Sequence, residues 1–106
     1  MLIRNIKEFL KLTMNKRIIS LDIGKSKIGS AISDQNHLIV TPLNVFPRKK
    51  ICTELYETIQ EFNAGGILVG PDGQNLQYDI IDKILNPYFL VACSSHWNNL
   101  WINNQD

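Results

Sequence analysis

Two aspartates of this chain follow apolar runs, where a carboxylate could act on a ligand. Asp22 lies near the end of the run RIISLDI at 17–23, and Asp72 stands just past the run ILV at 67–69. Burying a carboxylate is costly unless it is paired or bound to a metal. If the two runs are neighbouring parallel strands, both carboxylates lie at one edge of a sheet, where oxygen ligands could hold Mg²⁺ or Mn²⁺. Such ions activate water and neutralise a phosphodiester during its transfer.

Each aspartate also has a plain structural interpretation. Asp22 could pair with Lys25 or Lys27 in the turn that follows it, and Asp72 begins an Asp-Gly dipeptide of the kind common in turns. Residue types and spacing therefore leave the metal site as a hypothesis beside these alternatives.

The hydrophobic pattern predicts the elements that would position these residues. Helices are predicted over 2–14, 49–63 and 75–85, and strands over 17–23, 28–33, 37–46, 67–69 and 88–93. The first three strands are joined by short turns and should be antiparallel, whereas the later two should lie parallel to the first. The result is an α/β fold with a mixed sheet, three antiparallel strands followed by β-α-β-α-β, preceded by an N-terminal helix.

Individual residues refine this prediction. Gly24 should let the backbone turn sharply after Asp22. Pro42 places its strand at an edge or at a bulge. The pair Gly65 and Gly66 should end the second helix, with a glycine in the positive-φ conformation that a helix C-terminus favours.

Length and composition limit the class of protein. The chain has 106 residues, 44% of them hydrophobic and 20% charged, which is ordinary for one globular domain. We divide it into a helical extension at 1–14, a core at 15–93 and an irregular tail at 94–106. Neither a membrane span nor a signal peptide is evident, and the two cysteines predict reduced thiols, so a cytoplasmic location is expected.

The charge is divided unevenly along the chain. Residues 1–50 contain ten Lys and Arg against three Asp and Glu, a net charge of +7, whereas residues 51–106 have a net charge of −6. A basic half is typical of a protein that meets a polyanion. Pairing between the two halves is the alternative explanation.

The segment RIISLDIGKSKIGSAISD at 17–34 resembles the opening motif of the YqgF (RuvX) family. The resemblance continues through IVTPL at 39–43 and GGILVG at 65–70, and it covers about residues 17–73. The family is similar to Holliday-junction resolvases and has an RNase H-like fold. Its members are described as nucleases that process the precursor of 16S ribosomal RNA, a step of ribosome biogenesis.

The resemblance implies roles for particular residues. Asp22 matches the family's first metal-binding catalytic carboxylate, Lys27 a basic position in the same loop, and Asp34 the closing aspartate of the motif. The implied cofactor is Mg²⁺ or Mn²⁺, and the implied partner is nucleic acid, either pre-rRNA or branched DNA. Lys25, Lys27 and Arg48 are candidates for phosphate contacts, which depend on charge rather than on base sequence.

The C-terminal part departs from the family pattern. ACSSHW at 92–97 stands where the family has an Asp-Glu-Arg motif, and of the three family carboxylates only Asp22 carries over. We therefore expect a C-terminus altered by a truncation, by a frameshift or by lineage-specific decay. A nuclease acting through Asp22 and Asp72 is the first hypothesis, and a nucleic-acid-binding remnant of the same fold without catalysis is the second. A nucleotide-binding module is the third, since a strand-Asp-x-Gly-hairpin also opens actin-like and sugar-kinase-like folds.

Overall fold

The computed structural model describes residues 2–3, 5–69 and 90–93 of the chain. Within these residues a single mixed sheet of six strands has the order β1-β6-β5-β2-β3-β4. The strands are β1 (Leu2–Ile3), β2 (Arg17–Ile23), β3 (Lys27–Ser33), β4 (Val40–Pro47), β5 (Ala64–Val69) and β6 (Leu90–Cys93). The helices are α1 (Ile6–Leu12) and α2 (Ile51–Phe62), and a 3₁₀ turn (Arg48–Lys50) precedes α2.

The pairing confirms the predicted topology. β2, β3 and β4 are antiparallel neighbours, and β5 pairs in parallel with β2. β6 then pairs in parallel with β5 on its other side. The helix predicted over 75–85 lies outside the described residues.

One face of the sheet forms the main core with α2. Side chains alternate across a strand, so Ile19 and Leu21 of β2 share a face with Ile67 of β5. Leu55 and Ile59 of α2 are buried against this face. Their spacing of four residues places them on one side of the helix, as the sequence pattern predicted.

The opposite face of the sheet is packed against α1. Gly66 of β5 points to this face, and a Cβ atom built there would lie 2.7 Å from the ring of Phe9 and 2.8 Å from the methyl group of Thr13. Phe9 and Thr13 are both fully buried. Glycine at position 66 therefore allows the helix to approach the strand closely, and the N-terminal segment packs on the sheet.

The predicted N-terminal helix over 2–14 was wrong at both ends. Leu2–Ile3 instead forms β1, which adds to the sheet beside β6. Asn5 caps α1, because its side-chain oxygen accepts hydrogen bonds from the backbone N–H groups of Lys7 and Glu8. Side-chain caps of this kind decide where a short helix begins more strongly than hydrophobic spacing does.

The third strand begins at Val40 rather than at 37. Asp34 accepts hydrogen bonds from the backbone of Leu38 at 2.7 Å and of Ile39 at 3.0 Å, which holds these residues in a loop. His37 adopts a left-handed conformation with φ of 59°. Pro42 does lie on a strand at an edge of the described sheet, beside a shift in the β3–β4 register, as predicted.

The end of α2 corrects the prediction for the glycine pair. Asn63 takes the left-handed conformation with φ of 50°, whereas no glycine among the described residues has positive φ. Asparagine tolerates this conformation better than other side chains do. Gly65 and Gly66 belong to β5, where their lack of a side chain leaves room for Lys16 and Phe9.

Among the described residues, no helix is long and apolar enough to cross a membrane.

Candidate nucleic-acid and metal site

Asp22 lies at the carboxyl end of β2, on the sheet face opposite α2, and its side chain is exposed. Its partner across the β2–β3 ladder is Gly29. Facing side chains in such a pair stand about 5 Å apart, so a glycine leaves the space beside the carboxylate open. The position suits a carboxylate that acts on a ligand at this end of the strands.

A tight turn follows Asp22 and is fixed by backbone contacts. The N–H of Gly24 donates to the carbonyl of Lys27 at 3.0 Å, and a Cβ atom at Gly24 would lie 2.7 Å from that same oxygen. Glycine is required here for space, since its φ is not positive and a Cβ atom would clash with that oxygen. The turn therefore holds β2 and β3 together just beyond Asp22.

Arg48 joins the 3₁₀ turn to the β2–β3 turn. Its backbone N–H donates to the carbonyl of Ser26 at 3.0 Å, and its guanidinium donates to the carbonyl of Gly24 at 3.1 Å. Pro47 ends β4 directly before it, opposite Lys27 in the β3–β4 ladder. Part of the Arg48 side chain thus has a structural role that its charge alone did not indicate.

Three predicted phosphate-contacting residues share one end of the sheet with Asp22. Lys25 and Lys27 are exposed, and Arg48 is half-buried. We call these three residues the basic rim. Among the described residues, no ion pair joins Asp22 to Lys25 or Lys27.

The closing residues of the sequence motif lie at the other end of the sheet. Ser33 is buried, accepts a hydrogen bond from the N–H of Ile18 at 2.8 Å and donates to the carbonyl of Asp34 at 2.9 Å. Because β3 runs antiparallel to β2, these residues stand at the end of β3 remote from Asp22. Ser33 and Asp34 therefore shape the fold, and they supply no ligand to the Asp22 end.

The Asp34 carboxylate gives a pH-dependent prediction. Hydrogen bonds from Ile39 and Leu38 hold the pKa of Asp34 below its usual value. A lowered pKa in the folded state stabilises the fold above the unfolded pKa of about 4, and this contribution disappears as pH falls through the folded pKa. We expect the wild-type chain to be more stable than Asp34→Asn at neutral pH, with the difference shrinking in acid. Urea unfolding at a series of pH values measures it, and a difference independent of pH would contradict it.

Ser20 is a feature that the sequence did not single out. It precedes Asp22 by two residues on the same sheet face, and it is 2% exposed. Its hydroxyl oxygen is buried without a hydrogen-bond partner among the described residues. A buried polar group left unpaired costs about 1–3 kcal/mol. The signal in the sequence was a single hydroxyl within an otherwise apolar run.

The donor set at this end of the sheet fits a hard divalent cation in type. Carboxylate oxygen is the ligand that Mg²⁺ and Mn²⁺ favour, and Asp22 presents one. The described residues contain no group of three His, Cys, Asp or Glu side chains that could hold a metal ion. Asp72, the predicted second ligand, lies outside the described residues, although β2 and β5, the strands that precede the two aspartates, are parallel neighbours as predicted.

The model of the RuvX Holliday junction resolvase family matches residues 16–77 of the chain. This match covers more than half of the chain and includes β2 to β5. The chain belongs to the RuvX family. The resemblance drawn from the motif at 17–34 is thereby confirmed, as is the α/β fold class with its mixed sheet.

Curated relatives agree with this assignment. A protein of Rickettsia bellii named "Putative pre-16S rRNA nuclease" is 42% identical over 74 residues, covering 66% of this chain and 48% of the relative. A protein of Ehrlichia ruminantium with the same name is 42% identical over 91 residues, covering 80% of this chain and 58% of the relative. The chain thus spans about half the length of these curated relatives.

A solved structure extends the comparison of the fold. A Bacteroides thetaiotaomicron protein described as having an actin-like ATPase fold and unknown function aligns with a TM-score of 0.51 at 15% identity, covering 92% of this chain and 40% of the other. At this identity the likeness concerns the fold alone. The likeness agrees with the sequence prediction that a strand-Asp-x-Gly-hairpin opens actin-like folds as well as the fold of this chain.

Proposed function

We propose that this RuvX chain contributes to metal-dependent hydrolysis of phosphodiester bonds in nucleic acid, with Asp22 as a catalytic carboxylate. The proposed substrate is the 5′ end of pre-16S rRNA, with branched DNA as a second possible substrate. The observation that carries the proposal is the exposed Asp22 carboxylate at the end of β2, beside a rim of three cations. The names of the relatives support the choice of substrate.

The lysines and the aspartate at this end of the sheet have different proposed roles. Lys25 and Lys27 attract the sugar-phosphate backbone without reading its sequence. Asp22 would hold Mg²⁺ or Mn²⁺, and we propose Asp72 as its second oxygen ligand. A bound divalent cation supplies a nucleophile from water and neutralises charge on the phosphate. Pre-rRNA processing of this kind takes place in the cytoplasm, which is the location we propose.

A second candidate function is nucleic-acid binding without cleavage. Two-metal hydrolysis uses several carboxylates, and a lone carboxylate holds Mg²⁺ weakly. The segment ACSSHW at 92–97 contains no acidic residue where the family resemblance implies a second carboxylate, which favours this candidate. The basic rim serves both functions equally, so binding by itself does not separate them.

A cleavage assay separates the two candidates. End-labelled pre-16S rRNA and a four-way DNA junction are incubated with the chain in Mg²⁺, in Mn²⁺ and in EDTA. We expect cleavage that needs the divalent cation, and a parallel preparation of an Asp22 variant shows that the activity belongs to this chain. Salt-sensitive binding with no cleavage under any condition would instead establish the binding function.

A further inference from the structure

The 3₁₀ turn Arg48–Lys50 places positively charged side chains at the N-terminus of α2, where the helix dipole disfavours them. It leads directly into α2, whose N-terminus carries a partial positive charge. Lys50 occupies the cap position of α2 with no side-chain hydrogen bond, and Lys49 and Lys50 are both exposed. The stability of α2 therefore does not favour lysines at these two positions.

The two lysines continue the basic rim. Arg48 is bonded to the β2–β3 turn through Gly24 and Ser26, so the 3₁₀ turn is held against the hairpin that carries Lys25 and Lys27. A shallow cavity of about 310 Å³ lies at the same place, lined by Ser26, Lys27, Val45 and Pro47. Cations from two separate chain segments thus meet at the end of the sheet where Asp22 stands.

An acidic groove lies on the other side of β4. Glu54, Glu57 and Glu61 follow one another at helical spacing along α2. Together with residues of β4 they line a cavity of about 440 Å³. These carboxylates would repel a polyanion, so the basic surface has a boundary on this side.

We propose that Lys49 and Lys50 contact the phosphates of the nucleic-acid strand as it leaves Asp22, and that the carboxylates of α2 keep the strand out of the acidic groove. This inference rests on the proposed function, because it takes nucleic acid as the partner. It does not require that the nucleic acid is cleaved. It defines a path that starts at Asp22, crosses the basic rim and continues over the 3₁₀ turn. The partner is a sugar-phosphate backbone, recognised by its charge.

Binding measured in EDTA tests the path without cleavage. Fluorescence anisotropy with a labelled single-stranded RNA follows affinity between about 50 and 200 mM salt. We expect the double variant Lys49→Gln/Lys50→Gln to reduce the salt slope by about 1.4 and to weaken binding roughly 25-fold at about 0.1 M salt, the effect of two lost phosphate contacts. The matched control Lys11→Gln/Lys16→Gln removes two exposed lysines near the opposite end of the sheet and should keep the wild-type slope.

A second double variant tests the role of the acidic groove. Glu57→Gln/Glu61→Gln should strengthen binding about twofold, because two repulsive charges are removed under partial screening. A DNA duplex as second probe shows whether the path is shared by both polymers. A loss of affinity in Lys49→Gln/Lys50→Gln with either probe supports the proposal and shows which polymer follows the path.

Three results would overturn the inference. One is wild-type affinity and slope in Lys49→Gln/Lys50→Gln, another is an equal loss in the control variant, and the third is no binding by the wild-type chain. Failure of the proposed function is seen separately, as an absence of metal-dependent cleavage or as cleavage that does not need Asp22. The binding path can therefore be supported even if Asp22 is not catalytic, and a catalytic Asp22 does not require this binding path.

Discussion

Replacing Asp22 by asparagine is expected to lower the rate of metal-dependent cleavage about a thousandfold, which corresponds to ~4 kcal/mol of transition-state stabilisation. The amide keeps the shape of the side chain and removes its negative charge, and that charge is what holds a hard cation. Since Asp22 is exposed, stability should change by no more than about 0.5 kcal/mol. Initial rates of product formation on labelled RNA measure the effect.

Asp34→Asn is the matched control for this substitution. It makes the same chemical change at the opposite end of the sheet, where the carboxylate bonds to Leu38 and Ile39 and not to a ligand. Cleavage by Asp34→Asn should stay near the wild-type rate at neutral pH. Wild-type cleavage by Asp22→Asn would remove Asp22 from the mechanism, whereas equal losses in both variants would indicate a general defect.

Replacing Phe9 by alanine is expected to destabilise the fold by about 3–5 kcal/mol. The ring is fully buried and lies over Gly66, so its removal leaves a cavity between α1 and β5. For a domain of this size each kcal/mol lowers Tm by roughly 4–8 °C. Thermal unfolding followed by circular dichroism should therefore show a loss of more than ten degrees, about the minimum that these two magnitudes give.

Leu10 supplies the control for this second prediction. It neighbours Phe9 on the same helix but is 38% exposed, so Leu10→Ala should cost much less. The comparison also tests the division of the chain at residue 14. We propose that residues 1–14 stabilise the core at 15–93, and a Phe9→Ala variant as stable as the wild type would instead make them an accessory extension.

The sequence was sufficient for the central part of the fold. A nearly continuous apolar run predicted β2 with its bounds at Arg17 and Ile23, and short turns predicted its antiparallel neighbours. The parallel placement of β5 followed from the single helix between it and the hairpin. These features depend on periodicity and connection length, which local sequence carries directly.

The errors occurred where side chains bond to the backbone. Asn5 decides where α1 begins, and Asp34 delays the start of β4. Asn63, rather than a glycine, ends α2 in the left-handed conformation. Such contacts depend on the conformation that they help to create, so hydrophobic spacing does not reveal them.

The candidate site was predicted in part. Asp22 and the exposed lysines of the basic rim were identified from residue type, from their position after a strand and from the family motif. The bonds from Arg48 to Gly24 and Ser26 were missed, because they join segments more than twenty residues apart in sequence. The buried hydroxyl of Ser20 was missed because its burial depends on the packing of the whole face.

The separation of cations and carboxylates on either side of β4 also bears on kinetics. It gives this part of the molecule an electric dipole, so an approaching polyanion is turned toward the basic rim before any contact forms. Steering of this kind raises association rate constants by about 10–10³-fold, and the gain falls steeply as ionic strength rises. The charge pattern would therefore determine how quickly Asp22 meets a phosphate, in addition to how tightly that phosphate is held.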